Sequence, residues 1–587
     1  GGLIAKARSQ PDKVRQVLDK IKTEGLMPTL EAVFKKLDEP LPLGYCNVGE
    51  VLAVGAGVTE LSPGDRVASN GPHAEVVCVP KHLCAKIPDC VSDEAATFTV
   101  LGAIGLQGVR LIAPTLGERF VVFGAGLIGL VTIQLLRASG CRVMAVDLNP
   151  QRLELARMLG ADICNAGTAD PIATAGAWTE GAGVDGVIIT ASAKTDAIVH
   201  QAAEMCRKRG RIVLVGVVGL NLRRADFYEK ELTFQVSCSY GPGRYDDDYE
   251  QRGTDYPRGF VRWTEQRNFQ AVLEALAERR LDVEPLITDH IPLSEAARAY
   301  DAVSNDSASL GIVLEYPETI DRSQTIALTQ SRSEASDNVV AALIGAGNFA
   351  KMTMAPALAK SRARLKYVAA RTKSAAAAHI AKKYGFENAT TDLGRILDDP
   401  EVNAVFIATG HDSHAELACR ALDAGKHVFI EKPLALTVDE ITRITETVAA
   451  HQNTQIMVGF NRRFSPHTQK IVELLQGRSE PLAMHFACNA GIIPPDSWVH
   501  DIETAGGRIV GEACHFIDLM SCIAKSRVTS VASAKMNRGV AVREDKMAIV
   551  LSFEDGSIGT INYFANGSKA YPKETMDIYS DGRILRM

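Results

Sequence analysis

The sequence predicts an α/β protein made of two successive parallel-sheet units, each accompanied by a smaller domain. Three observations predict it. After residue 118, and again after residue 339, short apolar strands alternate with helical stretches, the pattern of a parallel sheet with crossover helices. Each run opens on a strand that breaks into a glycine-rich turn, at Gly124, Gly126 and Gly129 in the first and at Gly345, Gly347 and Ala350 in the second. Between the runs, residues 317–338 (PETIDRSQTIALTQSRSEASDN) are polar and aperiodic and read as a linker.

Length and composition set the frame. A chain of 587 residues exceeds one hydrophobic core, and ordinary domain sizes suggest roughly three to five domains. With 46% hydrophobic and 23% charged residues the chain has the balance of a soluble globular protein, and a net charge of -6 offers no general attraction for nucleic acid or an anionic membrane. The longest apolar stretch, Val121 to Leu136, is interrupted by Gly124, Gly126, Gly129, Thr132 and Gln134, and it falls short of the ~18 residues of a membrane span. The opening GGLIAKARSQ lacks an initiator Met and the apolar core of a signal peptide, so a cytoplasmic chain, trimmed at its start, is expected. Twelve cysteines include Cys78, Cys84 and Cys90 at intervals of six, which matches neither zinc pairs nor a disulfide scaffold and predicts reduced thiols.

Along the chain, residues 11–38 carry Val14, Val17, Leu18 and Ile21 at helical spacing, and residues 47–90 hold short Val-rich strands between Gly and Pro. Gly55 to Gly57 repeats the Gly-Ala-Gly signature, but turn and strand residues follow it, so it reads as a structural turn. In RFVVFGAGLIGLVTIQLLRASGCRVMAVDLNPQR a strand, G-x-G-x-x-G, a helix and a second strand ending at Asp147 follow in order. The glycines allow a tight turn and close approach of a pyrophosphate to the helix N-terminus, and the carboxylate suits the ribose hydroxyls while repelling a 2′-phosphate. This predicts NAD at the first site. At the second, LKYVAARTKS places Arg371 where Asp147 stands in the first. A guanidinium can bind a 2′-phosphate, so NAD or NADP is expected there.

The first half resembles the medium-chain dehydrogenase/reductase family, which includes the zinc alcohol dehydrogenases. Its G-H-E-x-x-G-x-V landmark is matched by Gly44-Tyr45-Cys46-Asn47-Val48-Gly49-Glu50-Val51, and LITDHIPLSEAARAYDAVSNDSASLGIVLEY looks like the return to the first domain. The resemblance implies a GroES-like domain over 1–115, lacking its opening strands and completed by 280–316, with a Rossmann domain at 116–279. Tyr45 and Cys46 stand at the family's zinc-ligand His and Glu, and residues 1–43 contain no Cys for the first ligand. No zinc is therefore expected, since a catalytic site needs three protein ligands.

Past a linker at 317–337, the stretch AVFIATGHDSHAELACRALDAGKHVFIEKPLALT resembles the glucose-fructose oxidoreductase, inositol dehydrogenase and MocA family, through Thr409, His414, Ala424-Gly425-Lys426 and Glu431-Lys432-Pro433. The resemblance implies a second Rossmann domain at 338–455 and, at 456–587, an α+β substrate or oligomerisation domain with an open, mainly antiparallel sheet, expected to be incomplete at its C-terminus. Thr409, His414 and Glu431 join the cofactor side and Lys432 lies beside the nicotinamide. GGRIVGEACHFIDLM matches the family's D-x-x-x-H-x-x-D helix at His515 and Asp518, with Gly511 in place of the leading Asp and Glu512 one position later. On an α-helix a residue at 512 is rotated by about 100° from the missing Asp. Lys432 and His515 are the expected catalytic pair, and Asn461, Arg462, Arg463, Glu512 and Asp518 the expected substrate-side residues.

Together these readings predict an NAD(P)-dependent oxidoreductase acting on a secondary hydroxyl of a sugar or nucleotide-sugar, in a homo-oligomer without nucleic-acid or membrane partners. The alternatives are tandem oxidation and reduction giving epimerisation, or a dinucleotide sensor that has lost chemistry.

Overall fold

The computed structural model describes residues 42–306, 308–317, 323–328, 339–495, 497–536, 542, 544–568 and 570–587; the helical spacing expected over 11–38 lies outside them. The chain divides near residue 321 into two compact units.

In the first unit, strands β1 (Asn47–Glu50), β2 (Arg66–Ser69) and β3 (Cys84–Lys86) form an antiparallel sheet. Helix α1 (Thr99–Ile112) leads from it to a six-stranded parallel sheet of β4 (Arg119–Phe123), β5 (Arg142–Asp147), β6 (Asp162–Asn165), β7 (Val184–Ile189), β8 (Cys206–Leu214) and β9 (Thr233–Val236). Their spatial order is β6-β5-β4-β7-β8-β9, so the chain reverses direction across the sheet between β4 and β7. That switch point is where the carboxyl ends of parallel strands open a ligand crevice. Phe120 to Val122 are 0% exposed, because helices cover both faces, and this is why the strand reads as an unbroken apolar run. Strands β10 (Ile287–Pro292) and β11 (Gly311–Glu315) form a parallel pair.

The second unit repeats the plan. Strands β13 (Val340–Ile344), β14 (Arg364–Ala369), β15 (Asn388–Thr390), β16 (Ala404–Ile407), β17 (His427–Ile430) and β18 (Ile456–Val458) lie in the order β15-β14-β13-β16-β17-β18. One expectation needs correcting. The segment at 317–337 is not all linker, because β12 (Thr325–Ala327) pairs antiparallel with β15 at the sheet edge, with Thr325 and Thr390 hydroxyls 2.8 Å apart. Three residues are too few to show a period in the sequence, and edge pairing gives their backbone its partners.

The rest of this unit is a six-stranded sheet of β19 (Ala483–Asn489), β20 (Val528–Lys535), β21 (Lys546–Phe553), β22 (Ile558–Phe564), β23 (Glu574–Ser580) and β24 (Arg583–Arg586), ordered β20-β21-β22-β19-β23-β24. Only the β19–β22 pairing is parallel, so the sheet is open and mainly antiparallel. One helix, Cys514–Ala524, packs on it through Phe516, Leu519 and Met520, and Phe516 stacks on Phe486 of β19 with ring centroids 4.1 Å apart.

Candidate active site

Both glycine-rich turns sit at the carboxyl ends of their first strands, and the roles of their glycines follow from what a side chain would meet. Gly124 has φ +97°, and a Cβ there would lie 2.8 Å from the backbone of Ala191. Gly345 repeats this with φ +115° and Ala408 O at 2.2 Å. In both units the first glycine lets the turn press against the strand across the switch point. Gly129 lies against Gly124 O, which a Cβ would approach to 1.9 Å, so it sets close helix–strand packing. Gly126 and Gly347 differ: nothing stands within 4 Å of the Cβ position, leaving open space in front of each helix. Gly126 caps helix α2 (Leu127–Ala138) without a side-chain bond, so the first-turn N–H groups stay available to an anion. A dinucleotide pyrophosphate fits both turns.

Asp147 closes the first turn: its Oδ2 accepts the Ala125 N–H at 2.6 Å and its Oδ1 the Asn149 N–H at 2.8 Å. Thr190, which sequence reasoning did not single out, donates its hydroxyl to Gly124 O at 2.7 Å from the end of β7. In the second unit Ala350 is fully buried and opens a π-helical turn, Ala350–Met354. Arg371 is exposed two residues past β14, and Thr409 Oγ1 lies 2.7 Å from Ser413 Oγ just past β16.

Lys432 follows β17, again at a carboxyl end. Its Nζ donates to Gly511 O at 2.7 Å. The missing Asp at 511 is thus met by a backbone carbonyl. The segment before His515 is not α-helical: Ile509–Ala513 forms a π-helical turn that runs into helix Cys514–Ala524. The phase expected for an α-helix therefore does not apply at 512, and this is a correction. Glu512 is drawn to Arg508, whose Nε donates to Oε1 at 3.0 Å. π-turns of this kind recur at functional sites.

His515 is 8% exposed, its Nδ1 has no partner among the described residues, and the Phe460 ring meets it edge-on with centroids 6.1 Å apart. Burial, then the charges of Arg462, Lys432 and Lys573, push its pKa down to about 3, so the imidazole is neutral at pH 7. His414 is 1% exposed and donates from Nδ1 to Pro433 O at 2.7 Å, which makes it a brace for the Lys432 segment; its buried Nε2 has no partner among the described residues. His411, which the sequence analysis passed over, donates from Nδ1 to Ala505 O at 2.9 Å and meets the Trp498 ring edge-on at 5.6 Å. Burial raises the pKa of Glu431, whose Oε1 lies against Gly459.

The arginines expected on the substrate side are already engaged. Arg462 pairs with Glu574, Nη2 to Oε1 at 2.7 Å, and Arg463 grips Asp518 with Nε to Oδ2 at 2.6 Å. Asp518 therefore orients Arg463 and the turn holding exposed Asn461. No pattern in the sequence pointed to these partners, because Glu574 lies 112 residues from Arg462.

A catalytic zinc in the first unit would need the donors at Tyr45 and Cys46. Tyr45 is 49% exposed, and burial pushes the Cys46 thiol up to about 12, which opposes the thiolate a metal binds. Among the described residues, the one group of three His, Cys, Asp or Glu side chains close enough to share an ion is His200, Glu204 and Asp226, on other elements. The residues at the zinc position do not fit the metal. No helix among the described residues is long and apolar enough to cross a membrane.

Two dinucleotide folds, one beside a half-buried lysine and a buried histidine, define the class: a two-part oxidoreductase chain. The comparisons give the families. Residues 339–460 match the oxidoreductase family with NAD-binding Rossmann fold and 477–584 the GFO/IDH/MocA C-terminal domain. Residues 15–105 match the alcohol dehydrogenase GroES-like domain and 128–252 the zinc-binding dehydrogenase domain. Oxidoreductase P35 of Formosa agariphila is 30% identical over 234 residues, 38% of this chain and 72% of that protein. Myo-inositol 2-dehydrogenase of Thermotoga maritima is 29% identical over 212 residues, 35% of this chain and 62% of that protein. Sorbitol dehydrogenase of Gallus gallus is 26% identical over 300 residues, 45% of this chain and 77% of that protein. Through its second half the chain belongs to the GFO/IDH/MocA oxidoreductases, and its first half is similar to the zinc-type alcohol dehydrogenases. It spans 61% to 66% of the length of several curated relatives it matches.

Proposed function

We propose that the chain is an NAD(P)-dependent oxidoreductase that moves a hydride to or from a secondary hydroxyl of a sugar or nucleotide-sugar, with the chemistry in the second half. The observation that carries the reading is the lysine–histidine pair at the carboxyl edge of a dinucleotide sheet: Lys432 fixed on Gly511 O at 2.7 Å and His515 buried, neutral and, among the described residues, unpartnered at Nδ1. The names of the inositol and sorbitol dehydrogenases it resembles support a polyol or sugar substrate.

The bound nicotinamide would supply the hydride chemistry. Lys432 spends one of its three N–H donors on Gly511 O and keeps two for the substrate oxygen, where its charge steadies developing alkoxide. His515 takes the hydroxyl proton as hydride leaves, and gives it back in the reverse direction. His414 acts as a positioning residue by holding Pro433 O and so the orientation of Lys432. NAD is proposed for the first site, where Asp147 stands, and NAD or NADP for the second beside Arg371. The first half works without zinc. Because both glycine turns are intact, tandem oxidation and reduction is the second reading.

Steady-state kinetics on the full chain tests the assignment. His515→Asn should lower kcat about 10²- to 10⁴-fold with nucleotide affinity retained, and Lys432→Ala should do at least as much damage. Parental turnover in both variants would remove the site from the second half.

A further inference from the structure

We propose that His411 and Trp498 form a specificity subsite beside Lys432, one that takes a pyranose or cyclitol ring whose reacting hydroxyl has a second hydroxyl on the next carbon. This rests on the sugar oxidoreductase reading above. The subsite is built on Gly511. Its carbonyl oxygen holds Lys432 Nζ at 2.7 Å, and the side chain it lacks leaves room for an imidazole: a Cβ at 511 would lie 3.4 Å from His411 Cε1 and 3.8 Å from Nδ1. One residue thus touches both the lysine and the histidine.

The tautomer of His411 follows from its partner. Ala505 O can only accept, so Nδ1, 2.9 Å away, carries the proton and Nε2 carries the lone pair. Burial lowers the His411 pKa and the Lys432 charge adds to that, so the ring is neutral at pH 7. His411 is half-buried, and its Nε2 has no partner among the described residues. The site therefore offers a cationic donor, Lys432, next to a neutral acceptor. A vicinal diol matches that pair: the reacting oxygen takes an N–H from Lys432 while the neighbouring O–H donates to His411 Nε2. Trp498 supplies an apolar wall. Its ring meets His411 edge-on with centroids 5.6 Å apart, yet it is 60% exposed. Ile502, which opens the helix ending at Ala505, and Val510, next to Gly511, are exposed as well. An indole left this open forgoes burial that a ligand can supply. The C–H face of a polyhydroxylated ring carries partial positive charge and suits the negative face of an aromatic ring, while its hydroxyl edge suits Lys432 and His411.

The test is the tryptophan emission of the His515→Asn chain in saturating NAD, where turnover is removed under the reading above and the signal reports binding. Trp178 and Trp263 lie in the first unit, so Trp498 is the one tryptophan of the second. The probes are myo-inositol, D-glucose, 1,2-cyclohexanediol and cyclohexanol. Myo-inositol or D-glucose should change the emission, and Trp498→Phe in the same background should abolish the change. In calorimetry Trp498→Ala should bind that ring about tenfold or more weakly, with NAD affinity and melting temperature unchanged. The diol should bind about 2- to 10-fold more tightly than cyclohexanol, the scale of one neutral hydrogen bond, and His411→Ala should erase the difference. The proposal is overturned if neither myo-inositol nor D-glucose moves the Trp498 emission, or if the diol preference survives in His411→Ala. It also falls if Trp498→Ala changes the oligomeric state in sedimentation and leaves ring binding as it was, which would make the exposed indole an interface between copies. NADH formation by the His515→Asn chain would sink the catalytic assignment, and a Trp498-dependent response to the ring would still uphold the subsite.

Discussion

At the scale of the residue, His515 is the most informative side chain because its protonation is tied to the stability of the fold. Burial and three neighbouring cations hold its pKa near 3, below the ordinary 6.5. Between those values the unfolded chain binds the proton and the folded chain does not, so stability rises with pH across that window and is lost as pH falls through it. We expect His515→Asn to flatten the acid-side decline in melting temperature between about pH 6.5 and 3, relative to the parent. An unchanged slope would mean that the imidazole is not held in its neutral form. The residue types at 432 and 515 were legible in the sequence through their motifs. The partners of Arg462 and Arg463 were not, since pairing across 112 and 55 positions depends on tertiary contacts that no local spacing encodes.

At the scale of the element, the two π-helical turns separate what a sequence can and cannot give. The alternation of strands and helices is written in hydrophobic period, which is why both parallel sheets could be anticipated, with β13 apolar throughout because helices cover both faces. A π-turn adds one residue without changing composition, so GGRIVGEACHF reads as one regular helix and the orientation of 512 is misjudged by that residue. β12 was missed for a related reason: three residues within a polar stretch carry no period. Helix Cys514–Ala524 holds His515 through Phe516, which is 1% exposed and stacked on Phe486. Phe516→Ala should destabilise the second unit by about 3–5 kcal/mol in denaturant unfolding and lower kcat as well, because the helix that aims His515 loses its anchor. Loss of stability with kcat intact would show that the helix does not position the histidine.

At the scale of the whole molecule, the same β6-β5-β4-β7-β8-β9 order recurs as β15-β14-β13-β16-β17-β18, and both copies keep an open position at the second glycine. The duplication was legible because each copy restarts with its own glycine turn. The proposed division of labour was less so, because it depends on what lies around each turn: a poorly matched metal position in the first unit, and a lysine and histidine in the second. A methyl group at Gly126 or Gly347 meets no protein atom within 4 Å, so either substitution should leave the fold intact and obstruct only the pyrophosphate. The most direct test of the central claim is NAD-linked turnover of the preferred sugar by Gly126→Ala and Gly347→Ala, compared side by side. We expect Gly347→Ala to abolish turnover while Gly126→Ala retains it. Loss in Gly126→Ala with activity kept in Gly347→Ala would place the chemistry in the first half and contradict the account.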